Sequence, residues 1–453
     1  MRRVAIIGAA GRDFHVYNIV YRGSREYKVV AFLVTQIPIP NRRYPPSLSG
    51  VPEGIPIYTL SSYEELTRYL RELRVDEAVL AYSDLLYEEV GHIISAVLAS
   101  GATFKIHGPG DTYLDSIKPV FAVTATRTGA GKSTVSREVV RELAARGLKT
   151  VVVRHPMPYR DLEEGVVEVF TKPEDLDRLT FEEREEYEQY VEMGVPVLAG
   201  VDYGQVLREA ERRGDVVLWD GGNNDLPFFR PSYMVVVTDA RRSGHEVGSF
   251  PGEVNLRIAD AVIVTKVSDA GRENVEKVVA NVRRVNPKAS ITKADLEVSV
   301  DRDLSGKRVL VIEDAPTVTH GGLPYAAGYI AAAKYGAEVV DPRPYAVGVV
   351  KKIYENYGTG PVLPSLGYAP EQRRDLEETI RRVPADVVLL ATPARLERVV
   401  KIDKPTARVY WRLKVVEGPT VRELVDVFLE GPLYASLTSP AGAPPSREKR
   451  LLR

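Results

Sequence analysis

Cysteine is absent from all 453 residues of this chain. That excludes disulfides, thiolate catalysis and cysteine-ligated metals. There is no run of about 18 apolar residues either, so no helical membrane span is expected. Charge imbalance is lacking as well: 61 Lys+Arg against 62 Asp+Glu leave a formal net charge of −1. No global pull toward nucleic acid or an anionic membrane follows from such a balance. The opening MRRVAIIGAAGRD has the basic start and apolar run of a signal peptide. The run is too short and passes into a glycine-rich loop, so a first β-strand is expected, and cytoplasmic location is the default.

What is present suits an ordinary soluble protein, with 44% hydrophobic and 27% charged residues. The length allows two or three domains, each with its own core. Abundant Glu and Arg, together with 31 prolines, would suit a thermophile.

Strand and helix patterns alternate along the chain. RRVAIIGAAG, YKVVAFLVTQ and VDEAVLAYSD read as strands, with SSYEELTRYLREL and YEEVGHIISAVLASG as helices. A parallel doubly wound, Rossmann-like domain is expected over residues 1–118. PVFAVTAT opens a second α/β unit over 119–300, and a C-terminal α/β region follows at 301–430. Pattern alone leaves open whether that region is a separate domain or extends the second sheet. The acidic stretch EDLDRLTFEEREEYEQYVEMG reads as an insertion or exposed lid, and 431–453, rich in Pro, Gly and Ser, as a flexible tail.

The chemistry concentrates at TATRTGAGKST, Thr124 to Thr134. The pattern G-x-x-x-x-G-K-[ST] cradles phosphates with backbone N–H groups, while its lysine reaches the outer phosphates and its hydroxyl holds Mg²⁺. Thr126 stands where the first glycine belongs, a position that mainly shapes entry into the loop. The rest is complete: Thr128, Gly129, Ala130, Gly131, Lys132, Ser133 and Thr134 are expected to bind nucleotide. An apolar strand precedes the loop and an amphipathic helix follows it, so the helix N-terminus adds its positive end. DVVLWDGGNND supplies a strand-end acid, Asp220, expected to complete the Mg²⁺ site with Ser133. Asn223, Asn224 and Asp225 follow as groups to orient water or substrate.

VIVTKVSD resembles the [N/T]-K-x-D base-recognition motif of GTPases, which assigns base contact to Thr265 and Lys266. Ser268 stands at the aspartate position and cannot bond guanine bidentately, so ATP and GTP both stay open. VVVRHPMPYRD places Arg154, His155 and Tyr159 past a strand end, where anionic groups are received. RRSGHEVGSFPGEVNLR offers Arg242, His245 and Glu246 as an active-site loop. DAPTVTHGGLPYAAG offers Thr317, Thr319, His320 and Gly321 as a substrate loop. Near the N-terminus, GAAGRDFH has G-x-x-G rather than the dinucleotide fingerprint, and no acid closes the second strand. Gly8, Gly11, Arg12 and His15 are therefore read as an anion pocket or regulatory element, with NAD binding a weaker alternative.

GAAGRDFH, TRTGAGKST, VVRHPMPY, LWDGGNND, PGEVNLR and THGGLPYAAG together resemble the archaeal cyclic 2,3-diphosphoglycerate synthetase-like family, often labelled GTPases. The resemblance runs to about residue 425. It implies a P-loop synthetase in which ATP or GTP, with Mg²⁺, drives formation of an internal phosphoanhydride in a phosphorylated small metabolite. Lys132, Arg154, His155 and His320 would then gather the charged groups, with Lys132, Asp220, Arg154 and His155 as the catalytic set. Asn223, Asn224, His245, Thr317, His320 and Gly321 would contact the substrate. The competing readings are a regulatory or assembly GTPase acting on a protein partner, and a metabolite sensor with a vestigial NTPase. Partners are expected to be nucleotide and small molecule, without nucleic acid or membrane, and a homodimer stays open.

Overall fold

Strands such as VFAVTA, VVLWD and YMVVVTD are apolar along their whole length, as strands covered on both faces must be. In the computed structural model they lie at the centre of a 13-stranded sheet, and a second, six-stranded sheet is built from the N-terminal residues. The structure describes residues 1–9, 11–35, 42–155, 161–179, 181–222, 224–319, 324–366, 369–431 and 434.

The N-terminal sheet orders its strands 42–44, 55–59, 27–34, 2–7, 77–80 and 103–106. Only the edge pair 42–44 and 55–59 is antiparallel; the other pairings are parallel. Helices Tyr63–Glu72 and Tyr87–Ser100 pack on it through Leu66, Leu70, Val90, Ile93 and Val97.

The large sheet runs 167–170, 197–200, 150–153, 216–220, 120–125, 233–239, 261–265, 290–300, 406–417, 387–391, 308–313 and 338–339, with 363–364 also beside 308–313. The question left open by the sequence is resolved at strands Ser290–Val300 and Thr406–Glu417. These pair antiparallel from Lys293 with Glu417 to Val300 with Val409 and carry one sheet across residue 300. The chain then returns: helix Val421–Glu430 buries Leu424, Val425 and Phe428 in the same core as Val135, Val139 and Leu143 of helix Lys132–Ala145. Most of the expected tail lies outside the described residues. Tyr434, one of its few described members, packs its ring 5.5 Å from that of Phe428.

The acidic stretch is a correction to the expected exposed lid. Helix Phe181–Glu192 buries Glu183, Arg184, Tyr187, Glu188 and Tyr190 between the phosphate-loop half of the sheet and its C-terminal half. Tyr187, Tyr190 and Val191 face the apolar core, and Glu185 and Glu188, which looked solvated, meet partners in the C-terminal half.

Candidate functional site: a phosphate loop joined to a buried charge cluster

Strand Val120–Ala125 leads into the loop, and helix Lys132–Ala145 leaves it. The threonine in place of glycine is itself anchored. Thr126 donates from its hydroxyl to Thr238 at 2.9 Å, and its carbonyl accepts from Asn224 Nδ2 and Ser249 Oγ, each at 2.8 Å. Gly129 and Gly131 hold φ of 79° and 101°, a region that side chains rarely adopt. A Cβ on Gly131 would also sit 2.9 Å from Leu296 Cδ1.

Loop carbonyls are tied down from behind. Thr265 Oγ1 donates to Ala130 O at 2.7 Å, Lys266 Nζ to Gly129 O at 2.6 Å, and Arg242 to Thr128 O at 2.5 Å. Lys266 also pairs with Asp239 at 2.7 Å, and burial lowers its pKa to about 8. Thr265 and Lys266, expected at the base, are thus seen bracing the loop. Ser268 is backed by a carboxylate that the motif lacked: its N–H and hydroxyl donate to Asp295 at 2.9 and 2.5 Å.

Beneath the loop lies Asp220, fully buried. It accepts from Lys132 Nζ at 2.5 Å, Ser136 Oγ at 2.9 Å, Tyr190 Oη at 2.6 Å, and the Arg154 guanidinium. Burial alone would raise its pKa, but Arg154 and Lys132 outweigh that and hold the carboxyl well below the usual range. Burial, then the nearby Arg154, brings the Lys132 ammonium down to about 8 against the pull of Asp220. Arg154 is 1% exposed and pairs also with Glu186 of helix Phe181–Glu192. His155 follows it, its Nδ1 buried without a partner among the described residues. Burial, then Arg154 and Lys132, pushes its pKa down to about 3, so the ring is neutral. A Cβ on Gly222 would lie 2.4 Å from that ring, which explains the glycine.

Hard oxygen donors suit Mg²⁺, and Ser133 with Asp220 would supply them. Both carboxylate oxygens of Asp220 are taken by protein donors here, Lys132 among them. Among the described residues no cluster of three or more His, Cys, Asp or Glu side chains is placed to hold a metal ion. The 14-residue helix after the loop directs its N-terminus at the cradle.

The far end of the buried helix reaches the C-terminal half. Glu185 accepts from Thr392 at 2.6 Å, and Glu188 accepts from the Arg395 N–H at 2.8 Å and from Arg398 at 2.7 Å. Glu313, at the end of strand Arg308–Glu313, accepts N–H bonds from Ala326 and Tyr329 at 3.1 and 2.9 Å. Its burial raises the carboxyl to about 7.

The N-terminal sheet closes the other side. Asp84, at φ 61°, accepts from Thr128 Oγ1 at 2.7 Å, pairs with Arg127 at 2.7 Å, and donates its N–H to Asn224 Oδ1 at 2.7 Å. Asn224 is wholly buried and serves as a strut between the two sheets, held in turn by Asn255. His245 is half-buried, its Nδ1 without a partner among the described residues, and Glu246 accepts from Asn281 at 2.6 Å. Thr319 donates to Ala315 O at 2.7 Å. Asn223, Tyr159, His320 and Gly321 lie outside the described residues, as does the side chain of Thr317 in helix Ala315–Val318. Tyr190, Glu186, Ser136 and Asp84 are site residues that no sequence motif marked.

No protein-family model matches the chain. The arginine synthetase ArcE of Thermococcus kodakarensis is 49% identical over 434 residues, which span 94% of this chain and 96% of that protein. The chain belongs to this synthetase family. The cyclic 2,3-diphosphoglycerate synthetase of Thermococcus gammatolerans, a more distant relative, is 28% identical over 287 residues, 56% of this chain and 64% of that protein. The family resemblance drawn from the motifs therefore holds. Among solved structures, LpxK from Aquifex aeolicus in complex with ATP aligns over 80% of this chain and 99% of its own, at 12% identity and a TM-score of 0.40. No helix among the described residues is long and apolar enough to cross a membrane.

Proposed function

We propose that this protein is a Mg²⁺-dependent, nucleotide-driven synthetase that forms arginine. The observation that carries the reading is the 49% identity to arginine synthetase ArcE across 94% of the chain. The site chemistry supports it. A guanidino group differs from a ureido group by nitrogen in place of oxygen, and that oxygen leaves readily only once phosphorylated. The γ-phosphoryl group passes to the ureido oxygen, forming a P–O bond and releasing nucleoside diphosphate. Ammonia then adds to the carbon, the C–O bond breaks, phosphate departs, and the surplus proton leaves with it. Lys132 and the loop N–H groups hold the transferring phosphoryl group and Arg154 neutralises charge beside it; Ser133 and Asp220 would hold Mg²⁺, which would supply further neutralisation of phosphate charge. His155 stays neutral and donates or accepts one hydrogen bond. Thr265 and Lys266 set the loop from which the nucleotide, ATP or GTP, is held.

A second reading, closure of a phosphorylated metabolite into a cyclic phosphoanhydride, rests on the motifs shared with the 2,3-diphosphoglycerate relatives. It uses the same first half, with a neighbouring phosphate as the second nucleophile in place of ammonia. One assay separates the two. Purified protein is given ATP or GTP, Mg²⁺ and either the ureido analogue of arginine with ammonium or 2,3-diphosphoglycerate. Chromatography then follows arginine and phosphorus NMR follows the anhydride. Arginine formed in step with phosphate supports the synthetase as proposed. A cyclic anhydride signal without arginine favours the second reading, and slow turnover indifferent to both substrates favours a regulatory GTPase.

A further inference from the structure

The mechanism above leaves two buried charges without a task, and they stand beside each other at the junction of the two sheets. Arg12 follows the glycine loop of the first strand and is 7% exposed. Its Nη2 donates to Thr112 Oγ1 at 3.3 Å, but its Nη1 is buried with no acceptor among the described residues. Asp225 ends the GGNND segment and is also 7% exposed. Each feels the other's charge, yet the two form no ion pair. Asp225 also feels the charge of Lys132 in the phosphate loop.

The walls of this junction are rigid. The His15 ring stacks on Phe228 with centroids 4.1 Å apart and planes 2° apart, and its Nε2 lies 2.7 Å from Thr112 O. Leu114 donates its N–H to Phe228 O at 2.8 Å. Asn224, next to Asp225, is fixed to Thr126 and Asp84. A buried guanidinium with an unmet N–H donor is costly, and such a cost is tolerated where a ligand supplies the missing acceptor.

We propose that Arg12 and Asp225 are the two ends of a subsite for the α-amino-acid head of the substrate, Arg12 taking the carboxylate through Nη1 and Asp225 the ammonium. This rests on the reading of the protein as an arginine-forming synthetase and places the substrate's main chain on the N-terminal sheet, its reactive end toward Lys132. Two opposite charges held apart fit a zwitterion. A multiply anionic phosphate would meet Asp225 as a repulsive neighbour, in line with an enzyme whose acceptor is an amino acid. Burial raises the Asp225 carboxyl to about 6 in the empty site, opposed by a Ser83 hydrogen bond and Arg12. An arriving ammonium would hold it in its ionised form.

The test truncates the ligand as well as the protein. L-arginine, agmatine (no carboxylate) and 5-guanidinopentanoate (no α-amino group) are titrated calorimetrically into the full chain with ADP and Mg²⁺. Each truncation should weaken binding to the native chain about 30-fold or more, the scale for removing one member of a buried charge pair. In Arg12→Gln, arginine and agmatine should bind alike, while the preference for an α-amino group persists. Asp225→Asn should show the converse, and Arg12→Lys should recover part of the carboxylate preference. ADP affinity should hold in the Arg12 variants, reporting an intact phosphate loop. Agmatine binding native protein as tightly as arginine would overturn the subsite, and needs no variant to fold. Arginine formation by the native enzyme, with carboxylate discrimination unchanged in Arg12→Gln, would overturn the subsite and leave the synthetase reading standing. A native enzyme that neither forms nor binds arginine overturns both.

Discussion

Replacing Asp220 by asparagine keeps the shape of the cluster and removes its only fully buried negative charge. In the native chain that carboxylate faces Lys132 at 2.5 Å and Arg154, with Tyr190 and Ser136 donating to it. After the change, Arg154 keeps only the partly exposed Glu186 as an ion-pair partner among the described residues, and Lys132 keeps none. Breaking a buried ion pair from one side costs about 3–5 kcal/mol, because the remaining charge stays buried and unpaired. Asp220→Asn should therefore lower unfolding free energy by that amount in the absence of nucleotide. The same change frees Lys132 from its competitor. Nucleotide then supplies the missing negative charge, so it should stabilise the variant more than the native chain. If affinity rises tenfold, the extra stabilisation is about 1.4 kcal/mol at saturating ligand. Turnover should nonetheless fall by about 10²–10³-fold, the scale for losing one electrostatic contributor to a transition state. Urea denaturation with and without Mg-nucleotide reads both free energies. A loss below about 1 kcal/mol without ligand, or a ligand shift no larger than native, would refute the view that Asp220 restrains Lys132.

Further outcomes follow from the same geometry. The Lys132 ammonium, lowered by burial to about 8, must be charged to meet phosphate, so kcat/KM for nucleotide should fall as pH rises through about 8. Its effect on folding has the opposite sign: the unfolded chain keeps that proton to higher pH, so this group adds stability as pH climbs from the folded value toward the unfolded one. A pH profile flat to well above that value would contradict the assignment. Tyr190→Phe removes a 2.6 Å hydrogen bond to a buried carboxylate and should cost about 1.5–3 kcal/mol in denaturation. Gly131→Ala forces a side chain to φ 101° and against Leu296, and calorimetry should show nucleotide binding lost. The strain of about 1–3 kcal/mol falls on the loop that must close around phosphate, so near-native affinity would argue against a working cradle.

The residues that sequence exposes and those it hides differ in a physical way. The phosphate loop was legible because its function is local: glycines at positive φ, a lysine and two hydroxyls are demanded within a few consecutive residues. Asp220 was legible because an apolar strand followed by an acid marks a ligand-facing strand end. Tyr190 was not, because nothing within its own segment requires a hydroxyl there. Its role exists only once helix Phe181–Glu192 is laid across the sheet. A signal was nonetheless present: Tyr187, Tyr190 and Val191 repeat at helical spacing inside a run of glutamates, and that stripe faces the core. Charge density outweighed periodicity and made the helix look solvated. Its glutamates are instead spent on Thr392, Arg395, Arg398 and Arg154, partners far away in sequence.

The same reasoning explains how the C-terminal third is attached. Strand patterns placed an α/β region there, but they carry no information about which strand edge it joins. The edge is chosen by Ser290–Val300 and Thr406–Glu417, long strands with alternating burial that pair antiparallel, whereas every central neighbour is parallel. One consequence is mechanical. Helix Phe181–Glu192 touches Asp220 and Arg154 with one face and the loops after strands 363–364 and 387–391 with the other. When Lys132 leaves Asp220 for a phosphate, the charge balance at Tyr190 and Glu186 changes on the helix that also carries Glu185 and Glu188. Helix Phe181–Glu192 is thus one packed element that joins the acceptor of Lys132 to the C-terminal half.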